Sequence, residues 1–435
     1  VGATTDDGRG NVTFFAEYQS ISEVGRTDLQ QARAFGSILN PAESDIPASE
    51  REENGIPDLL GVPWVGSEFI NNFGVINPFG GGPRITFTPD GSPIDQVNRI
   101  ETNSFAFGNF NSREPTVFFT DEYINYLPEQ KTVTLASTGR YDITENIRFY
   151  GDFKYVDKDI AQQFQPSFDF GGLRINVADN AFLDEATRTR LTDGGQGGIV
   201  PFSRFNGDLG NRSAANDREL FRIVAGFEGG FELSETFFDY DLFYIFGQTN
   251  NVRITENTLI TSNFTAALDS VIDPATGQAA CRSQVPSAQG DDYEDPALVN
   301  GGNWSPFNPF GFGNSSQAAV DFITADATRT DEITQEIVGG SVSFDTAEFL
   351  NLPGGAIGVA MGFEYREETS ETITDSFTRA GLTQNAATPN SFGQFDVEEF
   401  FVEVNLPILA DMFLFQELSL GGAFRAADYS HAGSA

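Results

Sequence analysis

The sequence predicts an all-β fold: an antiparallel transmembrane β-barrel, present in part as about nine strands, with long loops on one rim and short turns on the other. Three observations lead there. Apolar and charged side chains alternate through long stretches, as they do on strands, and the apolar sets are rich in rings. Among 435 residues Phe occurs 43 times and Gly 45 times, against 2 Met and 1 His, a balance that suits strands with aromatic girdles better than a soluble core. Connections between the alternating stretches run long, short, long, short, which sends every large loop to the same end of an antiparallel sheet.

Taken in order, Asp7-Gly8-Arg9-Gly10 is a turn signal, and the residues before it are expected to close a preceding strand. In Val12–Gln19, Val12, Phe14, Ala16 and Tyr18 point one way and Thr13, Phe15, Glu17 and Gln19 the other. Residues 21–129 form a long polar excursion, with a short helix expected at Thr27–Phe35 and a hairpin at Arg84–Ile94 bent at Pro89-Asp90-Gly91. Its Gly80-Gly81-Gly82 lacks the Lys-Ser/Thr of a phosphate loop.

Lys131–Lys158 is the clearest pair of amphipathic strands, turning at Thr144-Glu145-Asn146. Phe149, Phe153 and Tyr155 are expected to face lipid, and Arg140, Arg148, Asp152 and Lys154 the lumen. A second excursion, Asp159–Asp217, includes a helix expected at Ala181–Leu191 with Asp179 or Asn180 as its cap. The alternation returns in Leu220–Glu232, with Phe221 and Phe227 toward lipid and Arg222 and Glu228 toward the lumen. After the turn Ser234-Glu235-Thr236, Phe238–Gln248 puts Tyr240 and Tyr244 toward lipid and Asp239 and Asp241 toward the lumen.

The third excursion, from about Thr255 to Ala327, carries Cys281, the acidic run Asp291-Asp292-Tyr293-Glu294-Asp295 and a helix expected at Ser316–Thr324. Its rings Trp304, Phe307, Phe310 and Phe312 are candidates for stacking on a ligand, with packing among themselves as the competing reading. Strands Glu332–Asp345 and Ala356–Glu368 follow, joined at Pro353-Gly354-Gly355, with Phe363 toward lipid and Glu364 and Arg366 toward the lumen. A shorter excursion, Ser370–Phe392, leads to strands Phe395–Leu406 and Glu417–Tyr429, joined through Pro407–Gln416.

Charge removes several function classes. Lys and Arg number 25 against 63 Asp and Glu, a net charge of −38, so a nucleic-acid backbone is excluded as partner. The acidity reads as solubility or a salty habitat, or as loops holding divalent cations near an outer leaflet; no stretch has EF-hand spacing, and no metal site is assigned. The single Cys281 forms no intramolecular disulfide, and the single His431 near the chain end offers no zinc set and no evident triad. Asp239 and Asp241, two apart on one strand face, do not make a glycosidase pair. No enzyme activity and no cofactor are expected. No apolar run reaches the roughly 20 residues a membrane helix requires. The chain opens at Val1 with no signal peptide, which suggests a processed or partial piece.

Phe395–Gly433 resembles the barrel of TonB-dependent outer-membrane receptors. The match lies at Glu399, Phe401, Glu403, Pro407, Ile408 and Leu409, then at Leu420, Gly422, Ala423, Arg425, Asp428, Tyr429, Ser430 and Gly433. Asp7–Glu17 is similar to an early barrel strand of that family, and Trp304–Phe322 to its Cys-x-Pro-x-Asn-x-Phe-Gly loop, with Trp304 in the place of the cysteine. If that cysteine pairs in the family with one near Cys281, the bond is missing here. The resemblance implies import of a scarce solute, an iron–siderophore, cobalamin or an oligosaccharide, across the outer membrane of a Gram-negative bacterium. It implies outer-membrane lipid, the solute and, through an N-terminal plug, the TonB–ExbB–ExbD complex as partners. It also implies a barrel of about 22 strands, of which residues 1–435 would be a part lacking the plug and the C-terminal strands. A passive porin-type channel and a non-transport surface or adhesion protein are the alternatives.

Overall fold

The computed structural model describes residues 1–25, 28, 35–43, 45–51, 55–63, 69–95, 123–291, 293–294, 304–413, 415–431 and 433–434. Nine long strands dominate them: β1 (Gly10–Ile21), β2 (Glu129–Thr144), β3 (Ile147–Phe164), β4 (Arg212–Leu233), β5 (Thr236–Leu259), β6 (Thr324–Asp345), β7 (Gly358–Thr374), β8 (Ser391–Met412) and β9 (Phe415–Tyr429). With Gly2–Thr4 and Gly433–Ser434 at its edges they form one eleven-stranded antiparallel sheet whose spatial order follows the chain. The fold is all-β.

Links of two residues close β2 on β3, β4 on β5 and β8 on β9, at the pairs Thr144↔Ile147, Leu233↔Thr236 and Met412↔Phe415. In the β4–β5 link Ser234 and Glu235 both take positive φ, 52° and 72°, the turn whose twist matches that of the flanking strands. A small hairpin, Asn351–Leu352 with Gly355–Ala356, joins β6 to β7 on the same rim. The four long excursions leave from the opposite rim, because successive strands run antiparallel. That rim also carries one tight bend, where Tyr429 pairs with Gly433.

The strands are longer than the alternation predicts. β4 begins at Arg212 rather than Leu220, β5 ends at Leu259 rather than Gln248, and β6 begins at Thr324 rather than Glu332. The added lengths are polar on both faces, as in Asp217-Arg218-Glu219, so the period of two vanishes while the backbone ladder continues.

Buried apolar side chains gather in the excursions, not between layers of the large sheet. Ile76, Phe87, Ile175, Phe202, Leu268 and Ile323 belong to one cluster. Around it lies a second, five-stranded sheet of Phe168–Asn176, Ile199–Phe205, Val75–Ile76, Ile85–Phe87 and Pro93–Asp95, in that order. Helices α1 (Glu185–Asp193), α2 (Thr261–Leu268) and α3 (Gln317–Ile323) complete this loop layer. The hairpin expected at Arg84–Ile94 is present, closed by Thr88 N donating to Ser92 O. The helix expected at Ser316–Thr324 is present as α3, with Ser316 as its cap.

Helix α1 starts later than expected. Asn180 accepts from Phe182 N in a local turn, and Asp184, not Asp179 or Asn180, caps the helix by accepting from Thr187 N at 2.9 Å. The helix expected at Thr27–Phe35 falls mostly outside the described residues, and Phe35 itself opens a strand, Phe35–Leu39. Within the run Asp291–Asp295, residues 292 and 295 are likewise outside them.

Candidate functional site

Register decides which side chains share a face, because directly opposed residues point the same way. One row crosses seven strands: Tyr141, Phe149, Phe227, Leu242, Gly340, Phe363 and Phe400. Phe153 and Phe221 sit above it on the same face, with Tyr155 opposite Phe221, Tyr240 opposite Gly229 and Tyr244 opposite Ala225. Rings touch along the face: Phe149 to Phe227 at 5.4 Å, Phe153 to Phe221 at 5.7 Å and Phe221 to Phe246 at 6.0 Å between centroids. Nothing in the described residues covers this band. Phe227 is 44% exposed and Phe363 48%.

Arg140, Arg148, Asp152, Lys154, Arg222, Glu228, Asp239, Asp241, Glu364 and Arg366 share the opposite face. Arg148 bridges Asp142 at 2.6 Å and Glu228 at 3.1 Å, Arg222 reaches Asp152 at 3.1 Å, and Arg366 lies 3.5 Å from Glu368. The Tyr150 hydroxyl donates to Asp241 at 2.8 Å, and Arg425 bonds Glu399. Such half-exposed pairs contribute about 0–1 kcal/mol each, so the network wets a wall more than it braces one. The wall is not purely polar: Val224, Ile245 and Ile337 form an apolar row across it. Gly226 leaves room for the Tyr150 ring, which a Cβ there would meet at 2.3 Å.

Toward the long-loop rim the apolar face turns acidic. Asp157 opposes Glu219, Asp159 opposes Asp217, Glu336 opposes Glu367, and Glu332 opposes Glu371. Asp157, Asp159 and Asp217 each bring one oxygen within 4.8 Å of the others, a donor set of the hard-oxygen kind that calcium accepts.

In the loop layer, Phe307 and Phe310 are 0% and 2% exposed. Phe307 packs edge-on against Phe264, and Phe310 against Phe87 and Phe202. Neither presents a face to a ligand; burial makes them core. Trp304, half-buried, stacks on Phe322, and Phe312 stays open beside Phe73. Arg204, fully buried, ties this loop down. Its guanidinium donates to Pro309 O, Gly311 O, Asn206 Oδ1 and Asp208 Oδ2 at 2.6–3.1 Å and lies 5.3 Å from the Phe307 centroid. Arg282 joins the second excursion to the third, meeting Asp179 at 2.6 Å and Asp269 at 3.0 Å.

No protein-family model matches the chain, and no curated protein matches it.

The remaining candidates are quickly placed. The His431 ring sits 2.7 Å from Gln394 O at the exposed end of β8. Cys281 is buried and free; burial, with the Asp269 charge nearby, pushes its thiol up to about 12. The folded chain is therefore expected to resist iodoacetamide at pH 8 and to react in urea, read by mass spectrometry. Rapid labelling without urea would contradict this burial. The sequence reading missed Arg204, Arg282 and the Asp157 group. The only hint for Arg204 is its place two residues after Phe202, on the same face of a strand otherwise apolar there.

Proposed function

We propose that the large sheet is a segment of an outer-membrane barrel and that the chain serves energised uptake of a scarce solute, in the manner of a TonB-dependent receptor. The observation that carries the membrane part is the uncovered aromatic band. A soluble antiparallel sheet keeps its apolar face against another layer. Here the rings from Tyr141 to Phe400 stand open in one row, while the hydrophobic cluster of the molecule lies in the loops. Bilayer hydrocarbon is the environment in which such a band is stable and the charged face opposite it meets water. The transport part rests on the resemblance of Phe395–Gly433 and on the gathering of the long excursions at one rim.

Deleting the gene should abolish uptake of one of the three solute classes, and complementation should restore it. A protonophore should stop uptake if TonB–ExbB–ExbD drives it. Uptake that survives the protonophore favours a passive channel, and uptake untouched by deletion favours a surface or adhesion role.

A further inference from the structure

Where β3, β4, β5, β6 and β7 reach the long-loop rim, their charged face forms one wall of a pocket of about 280 Å³, completed by Asp375, Thr378, Asn385, Ala386 and Thr388 of the last excursion. Three arginines line it. Arg212 and Arg253 share the ring of Phe164, their guanidinium carbons 5.7 and 6.0 Å from its centroid. Among the described residues neither guanidinium forms an ion pair or a hydrogen bond. A third, Arg329, stands directly opposite Arg253 in register and is held by Asp331 at 2.8 Å.

The acidic side chain in the wall, Asp375, is already engaged. It accepts from the backbone nitrogens of Thr328, Phe377 and Thr378 at 2.8–3.1 Å. Two hydroxyls are not engaged. Thr374 and Thr378 are 3% and 8% exposed, line the same pocket, and their Oγ1 atoms have no hydrogen-bond partner. Buried polar atoms normally find partners, and an orphan calls for something that supplies one.

In a chain with 63 acidic residues against 25 basic ones, adjacent guanidiniums that pair with no carboxylate are the opposite of what chance pairing would leave. Each repels the other. Phe164 fixes both by cation–π contact, so little ordering remains to be done when a ligand arrives. We infer that this pocket binds an oxyanion group, carboxylate or phosphate, of the solute that the chain takes up. The planar forks of Arg212 and Arg253 match paired oxygens, and Thr374 and Thr378 donate to the others. The volume admits a small polyanion or the anionic part of a larger solute. That the anion belongs to an imported solute rests on the uptake reading above; the anion pocket itself does not.

The test is calorimetric titration of the chain in detergent with sodium citrate and, separately, with inorganic phosphate at low ionic strength. At least one should bind saturably. Arg212→Gln with Arg253→Gln should weaken that binding tenfold or more. Arg253→Lys, which keeps the charge but loses the fork, should fall between. Thr374→Val and Thr378→Val should each weaken binding severalfold and leave the melting temperature unchanged or higher, because each removes an unpartnered hydroxyl. Arg222→Gln, on the same face but about 30 Å along β4, should bind as the parent does. Binding of citrate alone identifies a carboxylate site, and of phosphate alone a phosphate site.

The inference is overturned if neither probe binds up to about 10 mM, if the double variant binds like the parent, or if Arg222→Gln weakens binding as much. Insertion into vesicles separates the two readings. A chain that inserts and binds no anion loses only the pocket, and one that binds an anion but never inserts loses only the membrane role.

Discussion

Phe153→Arg is expected to lower the stability of the chain in phosphocholine vesicles by about 2–4 kcal/mol. Phe153 lies within the aromatic band, its ring on Phe221, and the register rows of Gly151, Phe149 and Ile147 separate it from the short-turn rim. A guanidinium there would sit in hydrocarbon or drag water to it. Lys154 is the next residue and faces the other way, opposite Arg222. Lys154→Gln is expected to stay within about 0.5 kcal/mol, because the loss of one charge also relieves the like-charge contact with Arg222. Urea titration of both variants in vesicles gives the comparison. Equal costs would mean that the two faces do not meet lipid and water.

Arg204→Ala is expected to cost the loop layer about 3–5 kcal/mol, because it strands a buried Asp208 and removes donors from two buried carbonyls. The nine long strands share none of these bonds and should keep their pairing. Hydrogen exchange read by mass spectrometry would show fast exchange in Ile199–Phe205 and Phe168–Asn176, and little change in β4 and β5. Uniform loosening of both sheets would refute this separation, as would no loosening at all. Arg204→Met combined with Asp208→Leu should recover part of the loss, since no charge is then left unpaired.

The large sheet was legible because one physical contrast, rings against charges, repeats every second residue from Ile147 to Tyr155 and from Phe221 to Phe231. The ends of the same strands were not, because Asp217-Arg218-Glu219 and Asn250-Asn251 are polar on both sides and hide the period. The loop layer was hidden for another reason. Its sheet is assembled from pieces as short as Val75–Ile76, and its cluster draws on three excursions, so no single window contains a hydrophobic face. Rings at Phe307 and Phe310 were visible in the sequence, but whether a loop ring is covered depends on partners such as Phe87 and Phe202 that lie far off in the chain. The pocket of Arg212, Arg253 and Phe164 is of the same kind. Three strands bring it together, and each member alone is an ordinary strand residue.

Beyond the aromatic band β4 continues from Leu220 up to Arg212, a further stretch of roughly 30 Å along the strand. In a bilayer setting this extension is a stiff, negatively charged neck that lifts the mouth clear of the lipid headgroups. On the uptake reading proposed above, solute would be met at that raised mouth and would descend past the arginine ledge before it drew level with the hydrocarbon.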